Sequence, residues 1–176
     1  MDPSTPTLGR DDLMQRLARL GIETTTHEHQ AVFTVEQARA LHEQVPGVHC
    51  KNLLLKDAKA KLWLVVMPAD RAVDLKTLPD RIGSKRLSFA QPNVLKAVLG
   101  VEPGAVTPFG LINDRHHQVA VALDRWMMDQ PLLNFHPLVN TASTCIAAAD
   151  LARFIGACGH DPAIVDLGGE PEGLRA

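Results

Sequence analysis

The chain has 176 residues, enough for one domain with a sizeable core. Hydrophobic residues make up 45% and charged residues 22%, an ordinary globular mix, and no apolar run approaches the roughly 20 residues of a membrane span. The formal net charge of −2 argues against a general polyanion binder.

The charge is unevenly spread. From Lys51 to Lys96 there are ten Lys/Arg against four Asp/Glu, while both flanks are acidic, so the middle either faces a polyanion or is a solvated surface with scattered lysines, and charge alone favours the second. Three widely spaced cysteines (Cys50, Cys145, Cys158) suit a reduced chain. Met1–Pro6 lacks the basic-then-apolar pattern of a signal peptide. These features predict a cytoplasmic protein.

In chain order, residues 1–8 are expected to be disordered, 9–166 to form the domain and 167–176 a polar tail. Asp11 and Asp12 open a helix with Leu13, Met14, Leu17 and Leu20 at helical spacing and Gly21 as its stop. Ile22–His29 reads as a strand. Thr34 and Gln37 form a capping box for a helix over Val35–Gln44, and Pro46-Gly47 turns the chain. Val48–Leu55 and Leu62–Met67 pair as a hairpin across a turn without glycine. A short helix over Asp74–Leu78, a strand at Leu87–Phe89 and a helix over Pro92–Leu99 follow, then a loop from Val101 to Leu111. Val119–Asp124, Leu132–His136 and Ser143–Ala147 read as strands, and a last helix starts at Asp150 and stops at Gly159. Strands and helices are mixed without strict alternation, so the fold class is mixed α/β (α+β), one domain around a single sheet.

The stretch Cys50–Asp57 is the centre of the pattern. A leucine run that needs burial holds Lys51 and Asn52 at one end of a rigid strand. Lys51 reads as an anchor for phosphate or carboxylate, or as a solvated lysine; Asn52 adds a donor and an acceptor. Gly104, Thr107, Pro108, Phe109 and Gly110 form a loop whose backbone can approach an oxyanion, or an ordinary turn. Asn134 and His136 sit among apolar residues before Pro137, where His136 lines a pocket, acts as acid or base, or is a hydrogen-bonded core histidine. His27, His29, His49, His116 and His117 lack zinc-site spacing, so no metal is expected, and no nucleophile motif is present.

Together, His49–Asp57, the Gly104–Pro108 loop with Phe109-Gly110-Leu111, and Asn134–Pro137 with Asn140-Thr141 make the chain resemble the YbaK/ProX family. These are freestanding relatives of the prolyl-tRNA synthetase editing domain, and the alanyl-tRNA(Pro) deacylase branch is the most similar. The resemblance implies a curved mixed sheet surrounded by helices and hydrolysis of a mischarged aminoacyl ester without a cofactor. Its implied partners are the 3′ end and acceptor stem of tRNA(Pro), with prolyl-tRNA synthetase as a transient partner and no membrane. It implies that Lys51 holds the 3′ end, that Asn52 orients the aminoacyl group or the water, that the Gly104–Pro108 loop cradles the terminal adenosine, and that His136 limits the amino-acid pocket. The alternatives are a cysteine- or serine/threonine-specific deacylase, a non-catalytic nucleic-acid-binding module, and a metal-dependent hydrolase.

Overall fold

The computed structural model describes residues 5–32 and 34–168. Its strands are β1 (Thr24–Glu28), β2 (Val48–Asp57), β3 (Leu62–Pro68), β4 (Leu87–Phe89), β5 (Val119–Asp124), β6 (Leu132–Phe135), β7 (Ala142–Ala147) and β8 (Ala163–Val165). Its helices are α1 (Arg10–Arg19), α2 (Val35–Gln44), α3 (Leu78–Ile82), α4 (Pro92–Leu99), α5 (Arg125–Met128) and α6 (Ala148–Ala157). The strands form one mixed sheet in the order β1-β7-β6-β2-β3-β5-β8, with β4 attached to β2. This is the mixed α/β single domain that the sequence implies.

The sheet divides along β2. On one side β2 pairs antiparallel with β3 from Cys50 to Lys56. On the other it has two successive partners: Val48 and His49 run parallel to Leu133 and Asn134 of β6, whereas Leu55–Asp57 run antiparallel to β4. Among the described residues no strand pairs with residues 50–53 on that edge, so β6 and β4 part there.

Both faces are covered. On one, Leu54, Leu64 and Val66 pack with leucines and valines of α1, α4 and α6. On the other, Leu55, Trp63, Val65 and Met67 pack with Leu78, Leu87 and Leu167. β3 is buried along its whole length, as a two-sided strand requires. The β2–β3 turn manages without glycine because Asp57 Oδ1 accepts the N–H groups of Lys59 and Lys61 at 2.9 and 3.0 Å. Ala60 takes the left-handed conformation there (φ 66°).

Several elements differ from the sequence reading. The helix expected over Asp74–Leu78 lies instead at Leu78–Ile82, with Pro79 in its first turn, where no N–H donor is needed. The loop from Val101 to Leu111 contains two 3-10 turns, Pro103–Ala105 and Pro108–Asn113. β8 emerges from the glycine-rich end and pairs parallel with β5. Leu8, in the stretch expected to be disordered, exchanges both its backbone groups with the Asn113 side chain at 2.8 and 3.1 Å. Residues 1–4 and 169–176 of the two expected tails lie outside the described residues.

A buried ion pair joins the loop after β3 to the end of β5. Arg71 and Asp124 are 5% and 1% exposed; Arg71 Nη1 donates to Asp124 Oδ1. Asp124 Oδ2 also caps α5 through Met127 N at 2.9 Å. Asp124→Ala leaves a buried guanidinium without its partner and removes the cap. The expected cost is about 3–5 kcal/mol, read as a lower urea midpoint at pH 7; an unchanged midpoint would show that the pair does not hold this loop.

Candidate active site

A cavity of about 170 Å³ sits where the sheet parts. Its polar lining comes from His42 on α2, His49 and Asn52 on β2, Asn134 and His136 on and after β6, and Ser143 on β7. Three of the sequence-predicted residues, Asn52, Asn134 and His136, therefore share one hollow. A larger groove of about 820 Å³ runs along α1 and β1, but none of the predicted site residues lines it.

Asn134 is locked in place. It is 3% exposed, and its Nδ2 donates to Pro46 O at 2.6 Å. Gly47 makes that approach feasible: a Cβ built there would stand 2.8 Å from Nδ2, and Gly47 itself has φ +97°. Because a carbonyl accepts from Nδ2, the other amide atom must be the oxygen. That Oδ1 is buried without a partner, and so is Oδ1 of Asn52. Buried acceptors left unpaired are costly.

Burial shifts the imidazoles that line the cavity towards the neutral form. His136 Nδ1 lies 2.9 Å from Ala142 O, so it donates there and leaves Nε2 as the ring's acceptor. Burial lowers the His136 pKa, opposed by that bond. His49 Nε2 donates to Val45 O at 3.1 Å, and the ring stacks on His42 at 4.0 Å. Burial above all, then the neighbouring rings, pushes the His49 pKa down to about 4. His29 Nε2 meets Ser143 Oγ at 2.9 Å, and its ring lies 6.2 Å from that of His136. The described His, Cys, Asp and Glu side chains form no group of three able to hold a metal ion.

Lys51 stands beside this hollow, outside its lining. Adjacent residues on a strand point to opposite faces, so Lys51 lies on the face of its ladder partner Met67, and Asn52 on that of Val66. The Lys51 Nζ donates to Arg71 O. Burial lowers its pKa, Asp70 opposes this and Arg71 adds to it. Its strand neighbours Cys50 and Asn52 both line the cavity, so Lys51 stands at the cavity's edge with its side chain on the other face of the strand. The buried Arg71 thus holds Asp124 with its side chain and Lys51 with its carbonyl. Nothing in the sequence singled out Arg71, His42 or Asp70.

The glycine loop is placed differently from the expectation. Thr107, Pro108, Phe109 and Gly110 are all buried, and none lines the cavity. Thr107 Oγ1 accepts from Phe109 N at 3.2 Å. Phe109 packs edge-on against Phe135 and Phe154 at 5.9 and 5.4 Å. Gly110 lets the chain press on α4, since a Cβ there would lie 2.8 Å from Leu99 Cβ. The side chains of Thr107, Pro108 and Phe109 are packed into the core. Gly104 alone is exposed, and a Cβ there would come within 3.3 Å of Asn140 Nδ2.

The molecule is a single mixed α/β domain whose sheet parts around a small, hydrogen-bonding hollow. The family model described as the aminoacyl-tRNA editing domain matches residues 29–154, and the chain belongs to that family; it is an aminoacyl-tRNA deacylase. Among its relatives is prolyl-tRNA synthetase associated domain-containing protein 1 of Danio rerio, 39% identical over 160 residues that cover 90% of this chain and 87% of the relative. Another is the prolyl-tRNA editing protein ProX of Acetoanaerobium sticklandii, 35% identical over 156 residues, 88% of this chain and 95% of the relative. The fold matches a crystal structure described as a candidate trans-editing enzyme for prolyl tRNA synthetase, with a TM-score of 0.69 at 18% identity, covering 93% of this chain and 100% of that one. No described helix is long and apolar enough to cross a membrane.

The His49 environment makes a pH prediction. Its pKa is depressed in the fold, so the unfolded chain binds the extra proton first. The contribution of the neutral buried ring is complete above about pH 6.5 and is lost as the pH falls towards the folded value of about 4. In urea titrations between pH 7 and pH 4, His49→Gln should lose less stability than the wild type; parallel losses would show that His49 is not held neutral.

Proposed function

We propose that this chain hydrolyses the ester of mischarged tRNA(Pro), with alanyl-tRNA(Pro) as its substrate and prolyl-tRNA(Pro) left intact. The observation that carries this is a cavity of about 170 Å³ whose wall brings together Asn52, Asn134 and His136. The volume lies well below the roughly 300–1,000 Å³ of ordinary ligand sites and suits a small aminoacyl group rather than a nucleoside. The free α-ammonium of an aminoacyl ester brings three donors to a wall of amides and imidazoles rich in acceptors. The names of the relatives point to prolyl-tRNA as the context.

The chemistry needs little beyond positioning. An aminoacyl ester is already activated, so a held water and a fixed acyl group are sufficient. Nε2 of His136 is the neutral acceptor that orients the water. The water oxygen bonds to the ester carbon, the ester C–O bond breaks, and the water's proton ends on the departing ribose oxygen. Alanine and intact tRNA leave, and the balance requires no further reactant. Lys51, at the cavity's edge, holds the negatively charged 3′ end, and Gly104 lets RNA come close to the Pro103–Ala105 turn.

Selection against proline is by size. A synthetase distinguishes alanine from proline only weakly, because each missing methylene changes binding by about 1–3 kcal/mol. A second site reverses the ranking by admitting the smaller group and refusing the larger.

The test is a deacylation panel with alanyl, cysteinyl, seryl and prolyl esters of tRNA(Pro). Alanine should be released fastest and proline retained. Lys51→Ala and His136→Ala should each lower kcat/KM by about 10²-fold or more, with unchanged circular dichroism. Equal hydrolysis of the prolyl ester would sink size exclusion. Cysteine or serine released ahead of alanine would move the substrate to that amino acid. Salt-sensitive RNA binding with no ester hydrolysed would make the chain a binding module.

A further inference from the structure

We propose that Phe89 is a stacking platform for an unpaired base near the 3′ end of the RNA. The inference rests on the deacylase reading and concerns a surface outside the cavity. Phe89 ends the short strand β4 and is 59% exposed, whereas Phe109, Phe135, Phe154 and Trp63 are buried. An exposed aromatic on an edge strand is a liability in a monomer, so its retention calls for a partner with a flat face.

Charge identifies that partner. Lys85 and Arg86 immediately precede β4, and Lys56, the ladder neighbour of Ser88, lies on the reverse face of the same edge. All three cations are exposed, and none forms an ion pair among the described residues. An exposed phenyl ring on an edge that also carries uncompensated cations is an arrangement that holds single-stranded nucleic acid: cations follow the backbone and the ring takes a base. An acidic or apolar partner would explain either the cations or the ring, but not both.

The position fits the site. Directly opposed residues share a face, and Phe89 opposes Leu55 on β2. Leu55, Leu53 and Lys51 alternate along the same face of that strand. The ring therefore lies four β2 positions from Lys51, about 13 Å at ~3.3 Å per residue, a span for a few nucleotides. It also stands where β4 leaves β2 and the sheet opens towards the cavity. RNA running along this edge would set one base on Phe89, its terminal phosphate near Lys51 and the acyl group in the hollow.

The full-length wild type, Phe89→Ala and Phe89→Trp are compared in two assays. Fluorescence anisotropy is read with an uncharged RNA hairpin bearing a single-stranded CCA end and with the same hairpin cut blunt. Phe89→Ala should weaken binding of the overhang hairpin by about 5- to 100-fold and leave the blunt one unchanged, while Phe89→Trp should bind the overhang as well as the wild type or better. In deacylation, Phe89→Ala should raise KM for alanyl-tRNA with kcat preserved, and should not affect hydrolysis of alanyl-adenosine, which lacks the preceding bases. Wild-type affinity of Phe89→Ala for the overhang, or a Phe89→Trp as weak as Phe89→Ala, overturns the proposal. A wild type that binds the overhang through Phe89 but hydrolyses no ester would overturn the deacylase reading and leave the platform. Hydrolysis that does not depend on Phe89 would do the reverse.

Discussion

One strand with two partners on the same edge organises this molecule. β2 begins beside β6 and ends beside β4, and between His49 and Leu54 that edge has neither. A sheet that parts within its own layer creates a recess walled by strands β2, β6 and β7 and closed by α2. Side chains of both parities on β2 reach it, because an opening at an edge is accessible from either face. This is how His49 and Asn52 line one hollow although they point to opposite faces. The burial of β3 makes the arrangement possible: with one edge of β2 held against a fully buried neighbour, the other edge can be left unfilled without loss of the strand.

The same recess controls protonation. Histidines at a polar surface would titrate near neutrality, but those around the hollow are shifted towards the neutral form by burial. Each ring nitrogen that faces a backbone carbonyl is committed as a donor, which fixes the tautomer and leaves its partner nitrogen as an acceptor. The cavity wall is consequently rich in acceptors and poor in charge. Unpaired buried acceptors are tolerated in few places other than sites that take a donor from outside, and here they fall on two residues from different strands.

Much of the frame was legible. The leucine run of β2, the apolar run of β3 and the capping box at Thr34 announce themselves through period and chemistry, and Asn52, Asn134 and His136 do meet in space. Reading Lys51-Asn52 as one unit overlooked the alternation of a strand, which separates neighbours by face. Glycine in the loop was ambiguous because it serves two purposes: close approach to a ligand and close approach to a helix. Gly110 serves the second, and the adjacent Phe109 was the available hint, since a phenylalanine is usually worth more to a core than to a loop. Arg71 and the His42–His49 stack left no signal because their partners are distant in sequence or brought together by a turn. β8 was hidden by its short length; only Ile164-Val165 stood out from a polar stretch.

The displacement of Lys51 from the cavity has a physical logic under the proposed chemistry. An aminoacyl ester at neutral pH carries a positive α-ammonium, and two like charges 4 Å apart near a protein surface repel by about 4 kcal/mol. An ammonium lining the hollow would thus oppose the group that the hollow is to bind. Held by the Arg71 carbonyl at the edge, Lys51 can meet phosphate, whose charge it complements, and leave the acyl group to neutral amides and imidazoles. The opposite faces of residues 51 and 52 are then the means by which one strand serves two ends of a substrate that differ in sign: the anionic backbone of the RNA on one side, and the cationic amino acid on the other.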